Sequence, residues 1–108
     1  MEIIKKENMF GGNGYVTLKM LLNEKQMNGK IRVFAESTIK PGHSLGYHVH
    51  HNDSETFYIL SGVGEFNDNG TVRTVHAGDV TFTPDGCGHG MENNGTEDLV
   101  MMALVIYD

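Results

Sequence analysis

The sequence predicts an all-β domain, an antiparallel sandwich or barrel, on two observations. Turn signals recur densely and evenly, at Gly11-Gly12-Asn13-Gly14, Asn28-Gly29, Pro41-Gly42, Asn67-Asp68-Asn69-Gly70, Ala77-Gly78-Asp79, Pro84-Asp85-Gly86 and Asn93-Asn94-Gly95. The runs between them are short, rich in β-branched and aromatic residues, and without convincing helical periodicity.

Taken in order, Leu18 to Met27 fits neither a period of two nor one of 3.6 and is assigned as a strand with a connecting loop. Ile31 to Ile39, Leu45 to His50, Thr56 to Leu60, Val63 to Phe66, Thr71 to Val75, Val80 to Thr83 and Leu99 to Tyr107 are each of strand length. Asn69-Gly70 between two such runs is a type I′ hairpin signal, and Asn94-Gly95 is expected to repeat it. The last run is apolar on both parities, which predicts cover on both faces and a homodimer.

At 108 residues, with no internal repeat, linker or charge block, the chain forms one domain able to bury a core unaided. A metal would therefore serve function rather than folding. Eight basic against fourteen acidic residues give a formal charge of −6, and no basic cluster is present, which argues against nucleic acid or anionic membrane as partner. The lone Cys87 fits a reducing compartment. Met1 to Phe10 lacks the apolar core of a signal peptide, and no segment approaches the roughly 20 apolar residues of a membrane span, so a soluble cytoplasmic protein is expected.

Strand alternation puts His48 and His50 on one face and Tyr47 and Val49 on the other, the two imidazoles about 7 Å apart along the strand. Gly46 shares their face and leaves space. After the polar turn His51-Asn52-Asp53-Ser54, Glu55 opens the next strand. If that strand runs back antiparallel, Glu55 faces the same interior, with Phe57 and Ile59 following it inward as apolar floor. His89 follows the turn Pro84-Asp85-Gly86 and has to arrive from a neighbouring strand, which spacing alone does not establish. Three imidazoles and a carboxylate would give a divalent first-row metal four ligands and leave one or two positions open.

These residues also fall in a recognisable frame. Gly42, five residues, His48-Val49-His50, four residues, Glu55, six residues and Gly62 match the first motif of the cupin superfamily at every fixed position. Gly78, Pro84, Gly86, His89 and Asn93 match the second, fifteen residues (Val63 to Ala77) further on. The chain resembles a minimal single-domain, RmlC-like cupin. The resemblance implies a small antiparallel β-barrel of jelly-roll type over residues 31–108, with a metal inside held by His48, His50, Glu55 and His89. It also implies that residues 1–30 add strands or an arm, in contact with a dimer partner.

Other candidates read differently. His51 alternates away from the metal, and His43 and His76 sit in turns and are expected to be solvated. Cys87 is a small half-buried thiol without catalytic duty. Gly42, Gly62, Gly78 and Gly86 serve turns with positive φ. Met91, two residues after His89, shares its face and is expected to line the pocket with Phe57 and Ile59. Arg32 and Tyr15 reach the site only if the N-terminal strands fold over it.

No serine or cysteine nucleophile has a free partner base, so chemistry would belong to the ion, one of Mn, Fe, Co, Ni, Cu or Zn. Two functions follow. One is a metal-dependent enzyme of dioxygenase, decarboxylase or isomerase type acting on a small oxygen-rich organic compound. The alternative is a non-catalytic metal-dependent binder or sensor of such a compound, suggested by the short segment between the motifs, which leaves little chain for a lid.

Overall fold

The structure is a computed structural model that describes residues 2–108. Ten strands occur in the order β1 (Ile3–Glu7), β2 (Tyr15–Met20), β3 (Ile31–Ile39), β4 (Ser44–Val49), β5 (Asp53–Ser61), β6 (Val63–Asp68), β7 (Thr71–His76), β8 (Val80–Thr83), β9 (Gly88–Glu92) and β10 (Leu99–Tyr107). A 3-10 turn, Met9–Gly11, joins β1 to β2, and a single helical turn, α1 (Glu24–Met27), joins β2 to β3. The strands form a six-stranded sheet, β1-β2-β3-β10-β5-β8, and a four-stranded sheet, β4-β9-β6-β7, with every pairing antiparallel. The sheets face one another as in a jelly roll but are not closed into the barrel expected from the motifs, because hydrogen bonding joins strands within each sheet and not across their edges.

Alternation sets which side chains meet between the sheets. In β10, Leu99, Met101, Ala103 and Val105 are buried, and Val100, Met102 and Leu104 are half-buried on the outer face. Val16 and Leu18 from β2, Ala35 and Ile39 from β3, Phe57 and Ile59 from β5, and Leu45, Phe66, Val75 and Met91 from the smaller sheet join them in the core. Asn69 and Gly70, both at positive φ (50° and 102°), turn β6 into β7 as the hairpin signal requires.

Three further expectations need correction, and one is met by another route: Glu55 faces the same interior as the histidines, but across the sandwich, because β4 and β5 belong to opposite sheets. Asn94-Gly95 makes no hairpin, because β9 and β10 also lie in different sheets. The loop is held instead by the buried Asn93, whose Nδ2 donates to the carbonyls of Ile39 and Glu97 at 2.8 Å each. The segment Leu18 to Met27 contains α1, stabilised by a capping box in which Asn23 and Gln26 each accept the other's backbone N–H. Finally, β9 escaped the strand assignments because Gly88 and Gly90 depress its β-propensity. A Cβ at Gly88 would collide with the ring of Tyr47.

The N-terminal strands extend the larger sheet through β2–β3 pairing. The turn between them lies directly on β4: a Cβ at Gly46 would strike the Phe10 carbonyl, and one at Gly12 the Ser44 carbonyl. The space that Gly46 leaves is thus filled by backbone. Phe10 itself sits at φ 52°, a left-handed conformation that a bulky residue adopts only when its surroundings impose it.

Candidate metal centre

His48 on β4, His50 just beyond it, Glu55 on β5 and His89 on β9 offer four ligand atoms that all lie within 4.8 Å of one another. His50 Nε2, His89 Nε2 and Glu55 Oε1 form a triangle with sides of 3.1, 2.9 and 3.0 Å. His48 Nε2 stands 3.1 Å from His89 Nε2. These are the separations of neighbouring ligands around one ion: bonds of about 2.1 Å at right angles give edges of about 3.0 Å. The cluster is deeply placed, with His89 fully buried, His50 and Glu55 buried and His48 half-buried.

The outer nitrogens orient the inner ones. His48 Nδ1 donates to the carbonyl of Gly46 at 2.9 Å, and His50 Nδ1 to Asp53 Oδ1 at 2.7 Å. A carbonyl and a carboxylate only accept, so both Nδ1 atoms carry the proton and both Nε2 lone pairs face inward in the neutral rings. His89 Nδ1 pairs with Thr83 Oγ1 at 2.7 Å, and its ring is fixed by stacking on Phe57 at 4.9 Å and an edge contact with Phe66. Asp53 is held in turn by Arg32 Nε, 2.9 Å from Oδ2. The fixed tautomers, the short ligand separations and the mixed nitrogen and oxygen donors fit a divalent transition metal.

Electrostatics divides the set. The hydrogen bond to Glu55 raises the His50 pKa above the ordinary value despite burial, with Asp53 adding to it. Burial lowers that of His48, outweighing its bond to Gly46. Burial pushes the Glu55 carboxyl up, but the hydrogen bonds and charges of His50 and His89 prevail and hold it below the ordinary range. The site thus keeps Glu55 ionised and His48 neutral, whereas a cation has to displace the proton that Glu55 and Asp53 favour on His50.

His48, His50 and Glu55 line one side of a cavity of about 390 Å³, with His89 buried behind them. Phe57 and Arg32 line it; Tyr15 does not, being packed edge-on against His43 at 4.7 Å. Ile59 and Met91, expected on the wall, lie outside it: they share the inward face but sit further along their strands, within the core. His43 is not solvated; its ring accepts the backbone N–H of Tyr15 at 3.1 Å and is half-buried. His51 is exposed at the mouth and His76 is exposed.

Sequence reasoning missed Asp53, Thr83 and Phe10. Asp53 stands in sequence as an acid three residues after His50, but within a polar turn, where a solvated carboxylate is the ordinary case. Thr83 shares its strand face with Thr81, both buried, but a threonine signals nothing by itself. Phe10 stacks on the His48 ring at 3.9 Å and 14°, brought there by the turn on β4.

An oxalate-binding protein of Thermotoga maritima is 44% identical over 99 residues, covering 92% of this chain and 82% of its own. The oxalate decarboxylase of Bacillus subtilis is 38% identical over 72 residues, 62% of this chain and 19% of that enzyme's length. A crystal structure of a predicted oxalate decarboxylase from Thermotoga maritima superposes with a TM-score of 0.95 at 41% identity, covering the whole of this chain and 94% of that one. The family model described as Cupin domain matches residues 35–107. That match spans both sheets and takes in all four residues of the cluster, and the chain belongs to the cupin domain family.

Proposed function

We propose that this protein is a metal-dependent binder of small organic carboxylates, with His48, His50, Glu55 and His89 as the ligands of a divalent transition metal. The observation that carries the reading is the fixed tautomer of His48 and His50, which turns their lone pairs onto one point beside a cavity. An ion held there supplies a positive centre with positions open to the oxygens of a carboxylate or a hydroxy-keto group. Asp53 keeps the proton on His50 Nδ1, and Arg32 keeps Asp53 in place. Phe10 and Phe57 screen His48 and His89 from water. Relatives named for oxalate binding and oxalate decarboxylation support a carboxylate as guest. The apolar outer face of β10 and its neighbours supports a homodimer, with a reducing cytoplasmic setting for Cys87.

Turnover is the second reading, of decarboxylase type before dioxygenase or isomerase, and it draws on the segment shared with oxalate decarboxylase. Among the polar lining groups, those of the cluster are committed to the ion and Asp53 and Arg32 to each other, which leaves Ser37 and the exposed His51 at the mouth and favours binding. Metal content by mass spectrometry, followed by calorimetric titration of oxalate and measurement of carbon dioxide release, tests both. The expected result is bound metal and saturable, metal-dependent binding without product. A protein that takes up none of Mn, Fe, Co, Ni, Cu or Zn overturns the proposal.

A further inference from the structure

We infer that the ligand of this centre carries an apolar body of about the size of a phenyl ring beside its chelating oxygens, and is not a bare two-carbon dicarboxylate. The inference rests on the proposed binding of a carboxylate at the metal and specifies its class. The cavity, at about 390 Å³, falls in the range of roughly 300–1,000 Å³ that suits ligands of drug size and is several times the room of a two-carbon dicarboxylate.

Its walls are mostly hydrocarbon. Eleven of the eighteen lining residues are apolar, so a ligand confined to the polar end would leave the apolar wall facing water. The space has an identifiable origin in the register of the larger sheet. One row across its inner face reads Leu18, Ser37, Met101, Ile59, and another reads Val33, Val105, Glu55. Between them, Ala35 pairs with Ala103 at the centre of the row that runs from Met20 to Phe57. The small side chain of Ala103 lowers the floor between bulkier neighbours, and it lines the cavity beside Phe57. Opposite them Met9 and Phe10, carried by the turn pinned on Gly46, form the outer wall. Thioether and aromatic side chains fit themselves to an apolar guest.

The polar end selects the head and the alanine floor the body. The test compares ligands that share one head. Pyruvate and benzoylformate are both 2-oxo carboxylates and differ in a methyl against a phenyl group; oxalate is the small reference. Calorimetry on the Co(II)-loaded protein is expected to give benzoylformate binding at least tenfold tighter than pyruvate or oxalate, since a buried methylene contributes about fourfold. Ala103→Leu, which fills the floor, and Phe10→Ala, which removes an exposed wall, are expected to abolish that preference. Ala103→Leu should leave metal content and pyruvate affinity within twofold; because Phe10 stacks on His48, Phe10→Ala is compared at equal metal loading, as the ratio of its benzoylformate to pyruvate affinities. Should Ala103→Leu fail to fold, Phe10→Ala carries the comparison, since its side chain is 56% exposed. Equal affinity for all three ligands overturns the inference and leaves the proposed function standing. Absence of binding by any of them overturns both, and an equal preference for benzoylformate in the metal-free protein upholds the apolar body while overturning metal dependence.

Discussion

Asp53 accepts the Nδ1 proton of His50 at 2.7 Å, and this contact, outside the ligand set, decides which nitrogen of His50 faces the cluster. Asp53→Asn keeps the shape but offers an amide that can also donate, so the tautomer is no longer enforced. Metal affinity is expected to fall 10- to 100-fold, with secondary structure unchanged. A chelator competition titration checks it, and an unaltered affinity would remove Asp53 from its orienting role.

Glu55 contributes the one negative charge of the cluster and touches both His50 and His89. Glu55→Gln preserves volume and removes that charge from a buried position. Metal occupancy after purification is expected to drop at least tenfold. Because His50 then loses the partner that raises its pKa, its titration, followed by imidazole NMR shifts in metal-free protein, should move to lower pH.

Much of this was legible because two rules act locally. Period-two alternation places His48 and His50 on one face whatever sheet β4 joins, and β-branched runs such as Ile31 to Ile39 declare themselves as strands. What was hidden depends on contacts distant in sequence. β9 pairs between β4 and β6 although Gly88 and Gly90 argue against a strand, because the glycines admit Tyr47 and its backbone. Phe10 reaches His48 only through a left-handed turn seated on Gly46, for which no residue pattern gives notice. Barrel closure could not be read either, since it depends on edges that the sequence does not mark.

Stability of the metal-free protein should depend on pH with a maximum near the ordinary imidazole value of 6.5. His50 has a raised folded pKa, so its contribution is present below 6.5 and is lost as pH rises through the folded value. The His48 pKa is lowered, so its contribution is present above 6.5 and is lost as pH falls through the folded value. Glu55, also lowered, loses its own contribution further into acid, below its ordinary 4.5. With metal bound the His50 proton is already displaced, and the decline above 6.5 is expected to vanish. Thermal unfolding of both forms between pH 5 and 9, roughly the range over which imidazoles titrate, checks this; parallel curves would refute it.

Gly46→Ala places a methyl group on the Phe10 carbonyl, which is backbone and cannot yield without moving the whole turn. The expected cost is about 1–3 kcal/mol, the range for overpacking. The damage should be local: amides of residues 8–14 exchange faster, while those of β10 keep their protection. Uniform loss of protection across the chain would show that the turn is not a separable wall of the cavity.

The outer face of the larger sheet gives the last expectation. Thr56 is flanked across the sheet by Phe82 and Leu104, and Tyr58 by Val80 and Met102, so the exposed aromatics and aliphatics form one patch. Phe82 and Val80 are 57% and 58% exposed, and such a contiguous apolar surface is unusual on a monomer. A two-fold dimer would bury it against its own copy. Phe82→Glu sets two carboxylates into that contact, and dimer affinity is expected to weaken at least tenfold, while metal content stays the same because the outer face does not touch the cluster. Light scattering at micromolar concentration reads the result directly: a wild-type protein of monomer mass would remove the dimer from the account.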